Sequence, residues 1–121
     1  MSKRPVLQNL IKDNTLSTES FQNKTLRPII KMQHPILIAL FNNYLSDKKI
    51  DFQNLSINVK KDKIESILQK DSAFKKTIIG VIIGHFSNDE LTNYFKNISE
   101  FDRRIRQIVA KRLQDSLDEI K

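Results

Sequence analysis

The sequence predicts an all-α fold, a compact bundle of about five or six helices, and three observations carry that expectation. No segment alternates apolar and polar residues at a period of two over strand length. Apolar residues recur instead at spacings of three and four, and only two glycines and three prolines punctuate 121 residues. The uncharged run Ile78-Ile79-Gly80-Val81-Ile82-Ile83-Gly84-His85-Phe86 supplies the third observation, because it is apolar on nearly every side of a helical wheel. Such a helix belongs in an interior. It is expected to span about residues 72–86, with Asp71 as N-cap, and to form the centre of the bundle. Ala73, Thr77, Gly80 and Gly84 share one narrow strip of this helix. Glycine costs about 1 kcal/mol against alanine in an exposed helix, so the strip is expected to receive the backbone of another helix at close range.

Residues 1–16 carry a short amphipathic pattern, Val6, Leu7, Leu10 and Ile11 behind Pro5, which is too short to be stable alone. It is expected to be an N-terminal arm that docks on the domain or on a second copy, or that moves freely. Residues 17–121 are expected to form a single helical domain. Its first helix starts near Ser17 or Thr18 and is expected to bury Phe21, Thr25, Pro28, Ile29 and Met32 in one stripe. Pro28 lies inside that pattern and predicts a kink or break around residues 24–28, since proline lacks an amide donor and crowds the carbonyl four residues back.

Pro35 suits the start of a second helix rich in Ile36, Leu37, Ile38, Leu40, Phe41, Tyr44 and Leu45. Residues 50–57 read as a packed loop, after which Asn58 is expected to cap a helix reaching about Gln69. Ser87-Asn88-Asp89-Glu90 has the spacing of a capping box and opens a helix bearing Leu91, Tyr94, Phe95 and Ile98. The last helix is expected from Ser99 to about Glu119, with Phe101, Ile105, Ile108, Val109 and Leu113 inward.

Composition narrows the function. The absence of cysteine excludes a disulfide scaffold, a thiolate nucleophile and cysteine-based zinc or iron–sulfur sites. No secretory signal or membrane-spanning run is visible, and a cytoplasmic location is expected. The net charge of +7 invites an anionic partner but is dispersed, with nine Lys and Arg against four Asp and Glu in residues 1–60 and twelve against ten thereafter.

The densest basic cluster is Arg103, Arg104, Arg106, Lys111 and Arg112 on the last helix. As a stripe it would neutralise phosphates. On the wheel Arg103, Arg104 and Lys111 face outward and Arg106 lies on a flank, while Glu100–Arg104 and Asp102–Arg106 have ion-pair spacing. A solvated face is the simpler reading, and a nucleic-acid interface through Arg103, Arg104, Arg106 and Lys111 is the alternative. Arg112 falls inside the apolar arc. Its stem is expected to follow the core edge, or its guanidinium to meet a carboxylate or an anionic partner, and Arg27 is read the same way.

His34 and His85 have no carboxylate at metal-ligand spacing, and no phosphate-binding loop, zinc motif or nucleophile elbow occurs. No catalytic, cofactor-binding or metal residue is therefore proposed.

Phe21-Gln22-Asn23-Lys24-Thr25-Leu26-Arg27-Pro28-Ile29-Ile30-Lys31, with Gln69-Lys70-Asp71, Ile82-Ile83-Gly84-His85-Phe86 and Arg112-Leu113, resembles a family of small, uncharacterised bacterial helical proteins. Members of that family often carry the label glyoxalase. The resemblance covers most of the chain from Phe21 onward and implies a helical fold without implying catalytic residues. Glyoxalase I-type enzymes are built from βαβββ units and hold a metal through His and Glu, which does not fit a helical chain with two histidines, so the label is set aside. The function expected from the residues is non-enzymatic, through self-association or a protein partner, with nucleic-acid binding second and an enzyme third.

Overall fold

The computed structural model describes residues 14–121, with side chains from Thr18 onward; the expected apolar arm at Val6 to Ile11 lies outside the described residues. Among the described residues the chain is an all-α bundle without strands. Helix α1 (Asn14–Phe21) runs through a π turn (Gln22–Leu26) into α2 (Arg27–Met32), and α3 (His34–Asp47) follows after the single residue Gln33. A packed loop leads to α4 (Ile57–Lys70), α5 (Ser72–Ile83), α6 (Asn88–Phe95) and α7 (Ile98–Gln114), and a 3-10 turn (Leu117–Glu119) ends the chain.

The irregularity expected at Pro28 takes the form of the π turn. The Arg27 amide donates to the Gln22 carbonyl, five residues back, while backbone dihedrals on both sides of the joint stay helical. Widening the turn ahead of the proline accommodates its ring without breaking the rod. The described part of this helix starts at Asn14, so the backbone of Ser17 and Thr18 lies within it and not at its start.

Side-chain caps start α4, α5 and α6. Asp71 Oδ1 accepts the Phe74 amide at 3.0 Å, as the sequence implied. The capping box of α6 is complete, Ser87 Oγ accepting from the Glu90 amide at 3.2 Å and Glu90 Oε1 from the Ser87 amide at 2.8 Å. Helix α4 is capped by Ser56, whose Oγ accepts the Val59 amide at 3.3 Å, and Asn58 lies within the first turn. The loop before it is packed, with Phe52 buried edge-on to Phe41 at 5.9 Å between ring centres.

Helix α7 packs on α2, the π turn, α3, α4, α5 and α6, and buries Phe101, Ile105, Val109, Ala110 and Leu113 against them. Two aromatic clusters fill the core. Phe21, Phe86, Tyr94 and Phe101 form one, and Phe41, Tyr44, Phe52 and Phe74 form the other. The last helix stops at Gln114, short of the expected Glu119, and the remaining residues turn back along α3.

Helix α5 is a core helix on one side only. Phe74, Ile78, Ile79 and Ile82 are buried, whereas Ala73, Thr77, Gly80 and Gly84 are exposed. The expected close approach of a second helix at Gly80 and Gly84 is therefore not made among the described residues. A methyl group at Gly80 would meet nothing within 4 Å, and one at Gly84 would meet only carbonyls of its own helix, the nearest 3.1 Å away at Gly80. The wheel places the small residues on one strip but does not say which strip faces water. Gly80→Ala should accordingly stabilise the protein by about 1 kcal/mol, read as a higher urea midpoint, and an unchanged or lower midpoint would show that this face is covered.

Candidate functional site

The basic residues of α7 do not form one open stripe. Glu100 takes two of them, accepting from Arg103 Nη2 at 2.7 Å and from Arg104 Nε at 2.7 Å. Arg104 also donates to Gln22 Oε1 at 2.7 Å, which ties α7 to the π turn. Arg106, half-buried, reaches across to Glu65 of α4 at 2.9 Å. Lys111 is well exposed and pairs with Asp115 at 3.1 Å. The Glu100–Arg104 pair has the expected spacing, but Asp102 meets the Tyr94 hydroxyl and not Arg106. These four cations are thus paired within the chain, Arg103 and Arg104 both on Glu100, Arg106 on Glu65 and Lys111 on Asp115.

Arg112 is half-buried at the core edge, and its partner is an imidazole. Its Nη1 lies 3.3 Å from Nδ1 of His34, whose Nε2 is 3.0 and 3.2 Å from the two Glu119 oxygens. A guanidinium only donates, so Nδ1 accepts and the ring proton sits on Nε2, aimed at Glu119. Arg27 departs from the expectation of a core-edge or anion-paired cation. It is exposed and donates from Nε to the neutral Asn23 side chain at 3.1 Å. His85 is exposed as well.

Glu119 belongs to a C-terminal strap that sequence spacing did not reveal. Asn42 of α3 donates to the Glu119 carbonyl at 3.3 Å and accepts the Lys121 amide at 2.9 Å. Gln53 donates to the Ile120 carbonyl at 2.7 Å, and the Ile120 side chain is buried. The only advance signal was an isoleucine seven residues beyond Leu113, which a longer helix explained equally well. An open groove of about 640 Å³ lies beside the strap, between Ile57, Lys60, Leu117 and Asp118.

Among the described residues six large apolar side chains are exposed: Met32 at 56%, Ile36 at 47%, Ile57 at 63%, Val59 at 46%, Phe95 at 62% and Ile98 at 44%. They fall in three pairs at helix junctions, where α2 meets α3, where α4 begins and where α6 meets α7. Among the described residues no cluster of three or more His, Asp or Glu side chains is placed to hold a metal ion. Nor is any helix there long and apolar enough to cross a membrane.

No family model, curated protein or solved structure matches the chain. The functional reading therefore rests on the residues themselves.

Two titrating contacts bear on stability. Burial pushes the Tyr44 hydroxyl up to about 12, aided by its 2.7 Å hydrogen bond to Asp71, and burial beside Asp102 raises Tyr94 as well. The Phe74 amide, then the Tyr44 hydroxyl, hold the Asp71 carboxyl below its usual range, and Arg103 and Arg104 do the same to Glu100. The folded state keeps the Tyr44 proton more tightly than the unfolded chain, whose tyrosines titrate near 10. The stability this contributes is full below pH 10 and is lost as pH rises towards about 12. The depressed carboxyls contribute above the usual carboxylate range and cease to do so as pH falls through their folded values. Urea unfolding from pH 9 to 12 should show the alkaline loss, and Tyr44→Phe should reduce it, leaving the part that Tyr94 carries.

The strap gives a second expectation. Ile120→Ala should cost about 2–5 kcal/mol, as for other buried isoleucines, whereas Glu119→Ala, which removes an exposed partner of His34, should cost under about 1 kcal/mol. Equal losses in urea melts would mean that the side-chain clasp, and not the buried plug, holds the strap.

Proposed function

We propose that this chain is a non-enzymatic association module, acting through contacts with a second copy of itself or with another protein. The observation that carries this reading is the contrast between its charges and its apolar surface. Each cation of the basic helix already has a partner in the chain, while six large apolar side chains in three neighbouring pairs lie 44–63% exposed at helix junctions. Single exposed apolar residues are ordinary, but grouped ones mark surfaces that associate. The Phe95/Ile98 pair is the strongest of the three, since Phe95 is the largest of the six side chains and is 62% exposed despite a tilted ring contact with Tyr94 at 5.9 Å between ring centres.

Sedimentation velocity from low to high micromolar concentration tests the self-association arm. Wild type should form a dimer or larger species, and Phe95→Ser/Ile98→Ser should return it to a monomer with an unchanged melt. A wild type that stays monomeric throughout removes self-association and leaves a different protein as the partner.

A further inference from the structure

One face of the molecule combines charge and apolar surface in a way the basic helix does not. From Ser20 to Ser46 the chain holds no acidic residue, yet it carries Lys24, Arg27 and Lys31. All three are exposed. Exposure repeats in pairs every four residues, at Asn23 and Lys24, Arg27 and Pro28, Lys31 and Met32, and it continues past Gln33 to Pro35 and Ile36. A step of four follows one helix face. The π turn and the single-residue joint at Gln33 both leave this face outward.

The face has two rails. Arg27 and Lys31 form a cationic one, and Pro28, Met32 and Ile36 form an apolar one beside it with Lys24 at its head. Neither Lys24 nor Lys31 has an ion-pair or hydrogen-bond partner among the described residues, and Arg27 has only the neutral Asn23. Glu19 is exposed one turn ahead of Asn23 and makes no ion pair with these cations among the described residues; Glu100 is engaged by Arg103 and Arg104 and Glu119 by His34. Arg27 and Lys31 stand four apart, a like-charge spacing that disfavours the free helix.

We infer that the outward face of α2 and its flanks, Lys24 to Ile36, docks an acidic amphipathic helical segment of another protein, whose carboxylates meet Lys24, Arg27 and Lys31 while its apolar residues cover Met32 and Ile36. The inference rests on the association reading above and names the partner's chemistry. Charge complementarity decides for this occupant. A nucleic-acid backbone would satisfy the cations but would press phosphates on the apolar rail. An anionic bilayer would favour aromatic residues at its boundary, and this face has none. A helix with Glu on one side and Leu on the next answers both rails at once.

The test uses a labelled 20-residue helical peptide with Glu and Leu at matching spacing, a counterpart with Lys for Glu, a 20-base-pair DNA duplex and vesicles of mixed phosphatidylserine and phosphatidylcholine. Fluorescence anisotropy at physiological salt should give micromolar binding of the Glu peptide and none of the Lys peptide. Lys24→Glu/Arg27→Glu/Lys31→Glu and Met32→Ser/Ile36→Ser should each weaken it at least tenfold, while Lys61→Glu/Lys76→Glu/Lys96→Glu, an equal charge change on other helices, should not. Amide shift perturbations on wild type should map the peptide to residues 24–36, a reading that needs no variant to fold. Rescue of the triple Glu variant by the Lys peptide would confirm the charge pairing.

Absence of peptide binding, binding mapped to another face, or preferential binding of duplex or vesicles through the same cations would overturn the inference. Self-association lost in the triple Glu variant would assign the face to a second copy and overturn it too. A monomer that binds the peptide keeps the inference while removing self-association, and an oligomer that ignores the peptide does the reverse.

Discussion

The bundle depends on the burial of one stripe of α7. Phe101, Ile105, Val109 and Leu113 are all but removed from water, and the π turn, α2, α3, α4, α5 and α6 each place apolar side chains against that helix. At about 1.5–3 kcal/mol per fully buried large side chain, these four alone contribute a gross term of about 6–12 kcal/mol. That is the size of a whole domain's net stability. Short helices such as α2 and α6 would not persist in water by propensity. They are helical here because α7 gives each an apolar surface to bury against.

The polar residues of α7 follow from the same placement. A helix surrounded by neighbours cannot leave its flanking arginines to open water, so Arg104 and Arg106 reach the nearest acceptors, Gln22, Glu100 and Glu65. Contacts of this kind, partly exposed and screened, add little stability individually. Their effect is on geometry, because they join α7 to the π turn and to α4 at fixed positions, and they consume the charge that an anionic ligand would need. Among the described residues the outer side of the π turn and α2 has no such acceptors, and Lys24 and Lys31 stay uncompensated there.

Proline shapes that edge. Pro28 and Pro35 each remove one amide donor from a region that is otherwise continuous helix. The chain answers the first with a π turn and the second with a one-residue joint, where Gln33 still donates to Ile29 and accepts from Leu37, both at 2.9 Å. The π turn buries Thr25, whose hydroxyl donates to Glu90 at 3.4 Å. On the outer side Asn23, Lys24, Arg27, Pro28, Lys31 and Met32 stay exposed, and so do Pro35 and Ile36 past the joint.

The sequence by itself determined the helical class, the approximate span of most helices and several caps, because these are local matters. Hydrophobic period, Asp71 ahead of its helix and the Ser87–Glu90 box act over three or four residues and need no partner. Tertiary structure decided which faces those helices present. Ala73, Thr77, Gly80 and Gly84 form a strip on any wheel, but that the strip meets water depends on where α4 and α7 stand, which no local spacing records. The same holds for Arg27, outward where a core edge was expected, and for Arg112, whose partner is an imidazole from a helix 78 residues earlier in the chain. The strap that returns Ile120 to the core is of this kind as well. Its binding groups, Asn42 and Gln53, are brought to the chain end only after α3 and α7 have packed, and a long-range contact of that sort leaves no period in the sequence from which to read it.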